Sequence, residues 1–173
     1  MGLFRRAPRL PDEQRQRLRL VADDVLAAVE LSDHRWVAAS RRALHVLDDE
    51  QVRRWPWCEV DQGRLDAQQH TLTVRLVDGE ALALPLVDAS SSRPFAATFR
   101  ERVQSSVVCS CDVTVPQGGV VYVTVRRGED GALFTQVVGP DVDRTDPQVA
   151  ALVTEAQARV REAAGLSADA PQG

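Results

Sequence analysis

Hydrophobic and polar residues alternate in short segments over much of the chain, and turn-forming residues separate these segments. Such alternation is typical of β-strands that bury one face. The fourth segment contains Pro56, which has no N–H to donate to a ladder, so we expect its strand to lie at a sheet edge or to contain a bulge. Up to residue 86, the strands that the pattern predicts are Val25–Leu31, Arg35–Ser40, Ala43–Asp48, Val52–Trp57, Thr71–Val77 and Glu80–Leu86.

The last two of these strands predict a hairpin, and the positions of their leucines indicate the length of its loop. A two-residue Asp78-Gly79 loop would place the leucines of the two strands on opposite faces of the sheet. A three-residue loop over residues 77–79 instead pairs Val74 with Leu82 and turns both apolar sets toward one core. The sequence therefore predicts the longer loop, with Gly79 in a left-handed conformation.

Apolar residues at spacings of three and four predict helices near the N-terminus and in the middle of the chain. The first helix is expected from about Asp12 to Asp24, and the second from Arg93 to about Ser106. Ser92 is the predicted cap of the second helix, and Pro94 suits its first turn. The residues at positions i, i+4 and i+8 of that helix, which must face a core, are Phe95, Phe99 and Val103.

The last third of the chain predicts three strands and a final helix. Asp146 is the expected cap of this helix, Pro147 occupies its first turn, and Gly165 ends it. Its apolar stripe consists of Val149, Leu152, Val153, Ala156 and Val160. The three predicted strands are Val107–Val115, Val120–Arg126 and Leu133–Val138.

Composition and charge limit the class of protein. With 44% hydrophobic and 27% charged residues the chain resembles a soluble globular domain, and its apolar stretches are too short to span a bilayer. A formal charge of −4 and a pI near 5.4 argue against a nucleic-acid binder. All 21 basic residues are Arg, and Lys, Asn and Ile are absent, which is typical of a bacterium with GC-rich DNA. No signal-peptide pattern follows the N-terminal arginines, so we expect a cytoplasmic protein.

The sequence reads RWPWCEV over residues 54–60 and TLTVRLVDG over residues 71–79. These runs resemble the core and turn pattern of small bacterial proteins, especially actinobacterial ones, that carry a pleckstrin-homology-like (PH-like) domain. The resemblance implies an α+β fold in which residues 25–106 form a seven-strand β-barrel or sandwich capped by a helix. It also implies binding of peptides, phospholipid head groups or partner proteins through loops and strand edges, without a catalytic motif.

The remaining segments complete the predicted domain organisation. Residues 1–24 form a basic arm and a short helix, with six Arg against two acids in the first 20 residues. Residues 107–165 form a β-β-β-α extension, a three-strand meander with a C-terminal helix, which is either a separate domain or part of the same sheets. Residues 166–173 form a polar tail that we expect to be disordered.

Residues that carry chemistry are few and scattered. Cys109 and Cys111 are close in sequence and point the same way on one strand, where we expect them to pack against the core. A zinc site that used Cys58 or a histidine would need further converging ligands, and no spacing supports one. The histidines, none of which adjoins a recognisable nucleophile or metal-binding motif, are His34, His45 and His70. The sequence therefore predicts no metal, no cofactor, no disulfide and no enzymatic activity.

These observations predict a non-catalytic binding or scaffold module for protein–protein interaction. One candidate surface is the strand with Trp55 and Trp57, which Arg53 and Arg54 flank. The two tryptophans are either core residues or a partly exposed aromatic edge that accepts a peptide or an acidic partner. The open edges of the last three strands are a second candidate surface, and they also suggest a homodimer.

The alternative function is peripheral membrane association through the basic N-terminal arm. Leu3 and Phe4 would insert into an anionic membrane surface, and Arg5 and Arg6 would add electrostatic attraction. Because this segment is too short for a stable anchor, the contact would be weak.

Overall fold

The computed structural model of the protein describes residues 10–19, 24–116, 118–139 and 142–166, and for residues 89–91 it describes the backbone alone. Within these residues the architecture is α+β, with three antiparallel sheets and three α-helices. The chain divides into two compact units, Met1–Gln104 and Ser105–Gly173. The predicted membrane-contact residues, Leu3, Phe4, Arg5 and Arg6, lie outside the described residues, as does the predicted tail from residue 167 onward.

The first unit contains two antiparallel sheets. The first sheet has the strand order β1-β2-β3-β4, and the second has the order β5-β6-β7. The strands of the first sheet are β1 Val25–Glu30, β2 Trp36–Ser40, β3 Ala43–Leu47 and β4 Val52–Pro56. Those of the second sheet are β5 Val60–Asp66, β6 Thr71–Leu76 and β7 Ala81–Pro85.

The two sheets are open, so the barrel alternative of the predicted fold is wrong. Between β4 and β5 a short 3-10 turn, Trp57–Glu59, takes the place of a ladder. At the opposite corner a bridge pair, Leu31 with Leu86, connects the residues that follow β1 and β7. β4 lies at a sheet edge, as Pro56 predicts, but it ends at that proline because Trp57 already belongs to the 3-10 turn.

The β6–β7 hairpin confirms the three-residue loop. Val74 pairs with Leu82, and the N–H of Leu76 donates to the carbonyl of Glu80 at 2.8 Å. Gly79 closes the loop with φ +95°, a conformation that a side chain would disfavour. The leucines and valine of both strands share one core with residues of the first sheet. The hairpin residues in that core are Leu72, Val74, Leu76, Leu82, Leu84 and Leu86.

The second helix, α2, spans Ala89–Ser106 and therefore starts four residues before the predicted position. Ser92 is consequently not its cap: this residue lies inside the first turn, and its N–H donates to the carbonyl of Asp88 at 3.3 Å. Pro94 lies in the second turn, where it removes one helical hydrogen bond. The predicted apolar face is confirmed, because Phe95 and Phe99 are buried in the core that both sheets share.

The first helix, α1, spans Asp12–Leu18 and is shorter than predicted. It ends where Arg19 adopts a left-handed conformation with φ 52° and its N–H bonds the carbonyl of Gln16. Residues 20–23, which the prediction includes in this helix, lie outside the described residues. Leu18 packs on the face of the first sheet that points away from the main core. The cluster there consists of Leu10, Leu18, Ala28, Ala38 and Leu47.

The second unit consists of a three-stranded sheet and a helix. Its strand order is β10-β9-β8, with β8 Val107–Thr114, β9 Val120–Arg127 and β10 Leu133–Val138. Its helix, α3, spans Pro147–Ala163 and carries the predicted cap, since Asp146 accepts hydrogen bonds from two backbone N–H groups. The predicted stripe packs against the sheet, where the most deeply buried members of this core are Val121, Val123, Val125, Val149 and Ala156.

Candidate functional site

A groove with a cavity of about 590 Å³ lies between β5 and α2 in the first unit. The strand contributes Asp61, Gln62, Gly63 and Leu65, and the helix contributes one face between Arg93 and Gln104. Leu65 is unusual for a floor residue, because 47% of it is exposed. The apolar residues that line the groove are Leu65, Ala96, Ala97, Phe99 and Val103.

Gly63 and Phe99 fix the close approach of β5 to α2. A Cβ atom at Gly63 would overlap the Phe99 ring, with the Cζ atom only 2.9 Å away, so the absence of a side chain lets the ring lie against the strand. The ring is held from the core side by Trp57, edge-on at 5.7 Å between centroids, and by Phe95 at 6.4 Å. The aromatic core of the first unit therefore supports the floor of the groove rigidly.

The helical spacing of α2 places two arginines on the groove wall. Arg93 and Arg100 are seven residues apart, which is two helical turns, and both are exposed. Among the described side chains, neither guanidinium has an ion pair or a hydrogen bond. The wall on the helix side is therefore positively charged and its charges are available to a ligand.

β5 lies at the edge of the second sheet, since it is bonded to β6 on one side. A strand edge presents backbone N–H and C=O groups that another extended chain can pair with. The turn after β5 is fixed by Asp66, whose Oδ1 accepts the N–H of Gln69 at 2.9 Å and of Gln68 at 2.8 Å. These backbone hydrogen bonds hold the pKa of Asp66 below its usual value.

The structure separates the four residues of the predicted tryptophan surface. Trp57 is a core residue, 5% exposed, and its indole N–H donates to the carbonyl of Ser40 at 3.0 Å. Trp55 is half-buried at the edge of the same core, and the guanidinium carbon of Arg53 lies 5.4 Å from its ring centroid. Arg54 is exposed on β4. Partner binding by this strand stays a prediction, and it would use Trp55 rather than Trp57.

The histidines lie far apart in the chain, and each occupies a structural position. His45 is buried on β3, and its Nε2 lies 3.1 Å from the Oγ atom of Ser40. Ser40 is buried too, so a substrate cannot reach this pair. His34 and His70 lie in turns with φ 67° and 51°.

The cysteines are free thiols, and the predicted pair packs where the alternation indicates. Cys109 and Cys111 are half-buried on the α3-facing side of β8, which confirms the core interpretation. The Sγ atom of Cys109 donates to the carbonyl of Val160 at 3.0 Å. Within the described parts of the chain, no group of three or more His, Cys, Asp and Glu side chains could hold a metal ion.

The sequence pattern did not reveal the groove. Residues 61–66 are half-buried or exposed, so β5 lacks the alternation that identifies the other strands. Two signals were present in the sequence: a glycine at position 63 within an extended run, and arginines spaced seven apart on a predicted helix. Neither predicts a groove until β5 and α2 are known to be neighbours.

Comparison with known proteins adds no assignment. No protein family matches the chain, and no match was found among curated proteins or solved structures. None of the helices in the described part of the chain is long and apolar enough to cross a membrane.

Proposed function

We propose that the first unit is a PH-like protein-interaction module that binds an extended peptide segment of a partner protein between β5 and α2. One observation carries this proposal: β5 is an edge strand with an apolar groove directly beside it. The outer edge of β5 would pair with the backbone of the peptide, and the groove would receive its side chains. Binding, rather than catalysis, is the activity of this site.

The dimensions of the groove suit such a ligand. Pockets that bind small ligands have volumes of roughly 300–1,000 Å³, so a cavity of about 590 Å³ holds several peptide side chains. Along an extended chain every second side chain points to the same face, so alternate residues of the peptide would enter the groove. Leu65, which is exposed in the unbound protein, offers these side chains an apolar contact beside Phe99.

The order of elements in the first unit supports the PH-like assignment. A four-stranded sheet, a three-stranded sheet and a following helix share one core, which is the arrangement that the sequence resemblance implies. Within this unit the groove is favoured over β4 as the contact surface. β4 also lies at an edge, but Trp57, which follows it, is buried, and Pro56 cannot donate a hydrogen bond to an added strand.

Peptide selection tests this function on the full chain. The immobilised protein would be screened against phage-displayed random peptides of about ten residues, the upper length of common strands. Selected peptides would then be labelled with fluorescein and titrated by anisotropy. Ala97→Trp fills the groove with an indole, and Ala83→Trp places the same side chain on an exposed position of β7 as the matched control.

We expect selected peptides to lose binding to the Ala97→Trp protein and to keep it with the Ala83→Trp protein. Circular dichroism of both variants checks that each is folded. The proposal is wrong if no peptide is enriched, or if enriched peptides bind the folded Ala97→Trp variant as well as the original protein. Protection of β5 amides from hydrogen exchange in the complex would distinguish strand addition from binding of side chains alone.

A further inference from the structure

We infer that the peptide bound in this groove carries acidic side chains, which Arg93 and Arg100 of α2 recognise. This inference rests on the function proposed above, and it specifies the chemistry of the partner. An arginine guanidinium binds a carboxylate through two parallel hydrogen bonds, so each arginine selects an acid rather than any polar residue.

The local charges leave these arginines available. Glu101 is adjacent in sequence to Arg100, but its carboxylate pairs with Arg102 at 2.6 Å and so does not neutralise the groove. Among the described residues, Asp61 is the one acid that lines the cavity, and it belongs to β5 on the opposite wall. The helix wall therefore carries two positive charges that no described side chain compensates.

The negative charge of the whole chain does not prevent acidic recognition. The formal charge is −4, which would repel an acidic peptide at long range. At physiological ionic strength, however, exposed charges are screened over about 8 Å, so a ligand in the groove senses mainly the charges that line it. Local attraction then exceeds the distant repulsion, and we expect affinity to fall as salt is added.

The spacing of the arginines restricts the spacing of the acids. Seven helical residues separate the two Cα atoms by about 10 Å along the axis. Two strand residues span about 6.6 Å and four span about 13 Å, and both spacings keep the side chains on one face of the peptide. Since arginine side chains are long, we expect acids two or four residues apart in the selected peptides, with an apolar residue on the same face of the peptide.

Charge-neutralising variants test the inference with the peptides obtained above. The affinities of each labelled peptide would be measured for the full chain, for Arg93→Gln, for Arg100→Gln and for the double variant. The matched control is Arg75→Gln, which removes the same charge from an exposed position on β6 that does not line the groove. A second arm uses peptides in which each Glu or Asp is replaced by Gln or Asn.

We expect each groove variant to raise Kd about fivefold, the upper range for an exposed ion pair, and Arg75→Gln to leave it unchanged. The peptides with Gln or Asn in place of Glu or Asp should bind the original protein about as weakly as the acidic peptides bind the double variant. Raising NaCl from about 50 to about 500 mM should raise the Kd of acidic peptides for the original protein far more than their Kd for the double variant.

The two proposals can fail separately. If the Ala97→Trp protein loses the selected peptides but these lack acids, or if Arg93→Gln and Arg100→Gln bind them unchanged, the groove binds peptides and the acidic specificity is wrong. If Arg75→Gln weakens binding as much as the groove variants, the effect is one of overall charge and the inference is also wrong. If Ala97→Trp leaves binding intact, the peptide function itself fails.

Discussion

Replacement of Gly63 by alanine should destabilise the first unit although position 63 lies at the surface. The backbone there is not left-handed, so an alanine is acceptable to the strand itself. Its Cβ, however, would overlap the Phe99 ring, which cannot retreat because it is buried against Trp57 and Phe95. Forcing extra atoms into a packed core costs about 1–3 kcal/mol, whereas most surface substitutions stay within about 0.5 kcal/mol.

A double-mutant cycle isolates the contact. Phe99→Leu removes the ring atoms that the new methyl group meets, so Gly63→Ala should cost less than about 0.5 kcal/mol in that background. Gly79→Ala is the control, because its Cβ meets no atom within 4 Å but its φ of +95° is unfavourable for alanine. It should lower the free energy of unfolding by roughly 1 kcal/mol in both backgrounds.

The assay is urea unfolding followed by tryptophan fluorescence. All three tryptophans belong to the first unit, so the transition reports on that unit rather than on the whole chain. The Gly63–Phe99 contact is not the cause if Gly63→Ala lowers the free energy of unfolding by the same amount with phenylalanine and with leucine at position 99. An unchanged free energy of unfolding in both backgrounds would also contradict it. The same variant should also weaken peptide binding, because relief of the overlap would move β5 away from α2 and change the groove between them.

Two further predictions concern the ends of individual elements. The Asp66 carboxylate has a pKa in the folded protein below its unfolded value near 3.9, so its contribution to stability is present above about pH 4 and lost as the pH falls through the folded pKa. Asp66→Asn should therefore lower the stability of the first unit more at pH 6 than at pH 3, and an equal loss at both would contradict this origin. Asp146→Ala removes the cap of α3, which costs about 1 kcal/mol, so amides of α3 should exchange about fivefold faster by hydrogen-exchange mass spectrometry while those of α2 remain unchanged.

Strands and helices that bury one face could be predicted from the sequence. The alternation around Val74 and Leu82 decided the loop length, because the other register would have exposed half of the leucines. The cap at Asp146 and the left-handed Gly165 likewise mark the ends of α3 correctly. In each case a local preference and the burial of apolar side chains favour the same structure.

Positions where local signals conflict with tertiary packing could not be predicted. Ser92 and Pro94 together suggest a helix start, yet α2 begins at residue 89, and the proline is tolerated in the second turn because the helix is held by its buried face. β5 could not be predicted from the alternation of apolar and polar residues, since residues 62–66 are all exposed. The groove depends on a contact between β5 and α2, which lie about thirty residues apart in the sequence, and no periodicity encodes that contact.

The corner between β4 and β5 has a consequence for proteolysis. Trp57 holds this corner through its indole hydrogen bond to Ser40, its backbone hydrogen bond to the carbonyl of Arg42 and its ring contact with Phe99, whereas ladders hold the strands within each sheet. A local fluctuation that opens this corner would also release the end of β4, where Arg54 pairs with His45, while the β6–β7 hairpin stays intact. Trypsin-like enzymes cut after arginine, and Arg53 and Arg54 precede the corner directly. Cleavage after Arg54 should therefore report the opening of this corner, and a bound peptide that contacts Phe99 should slow it.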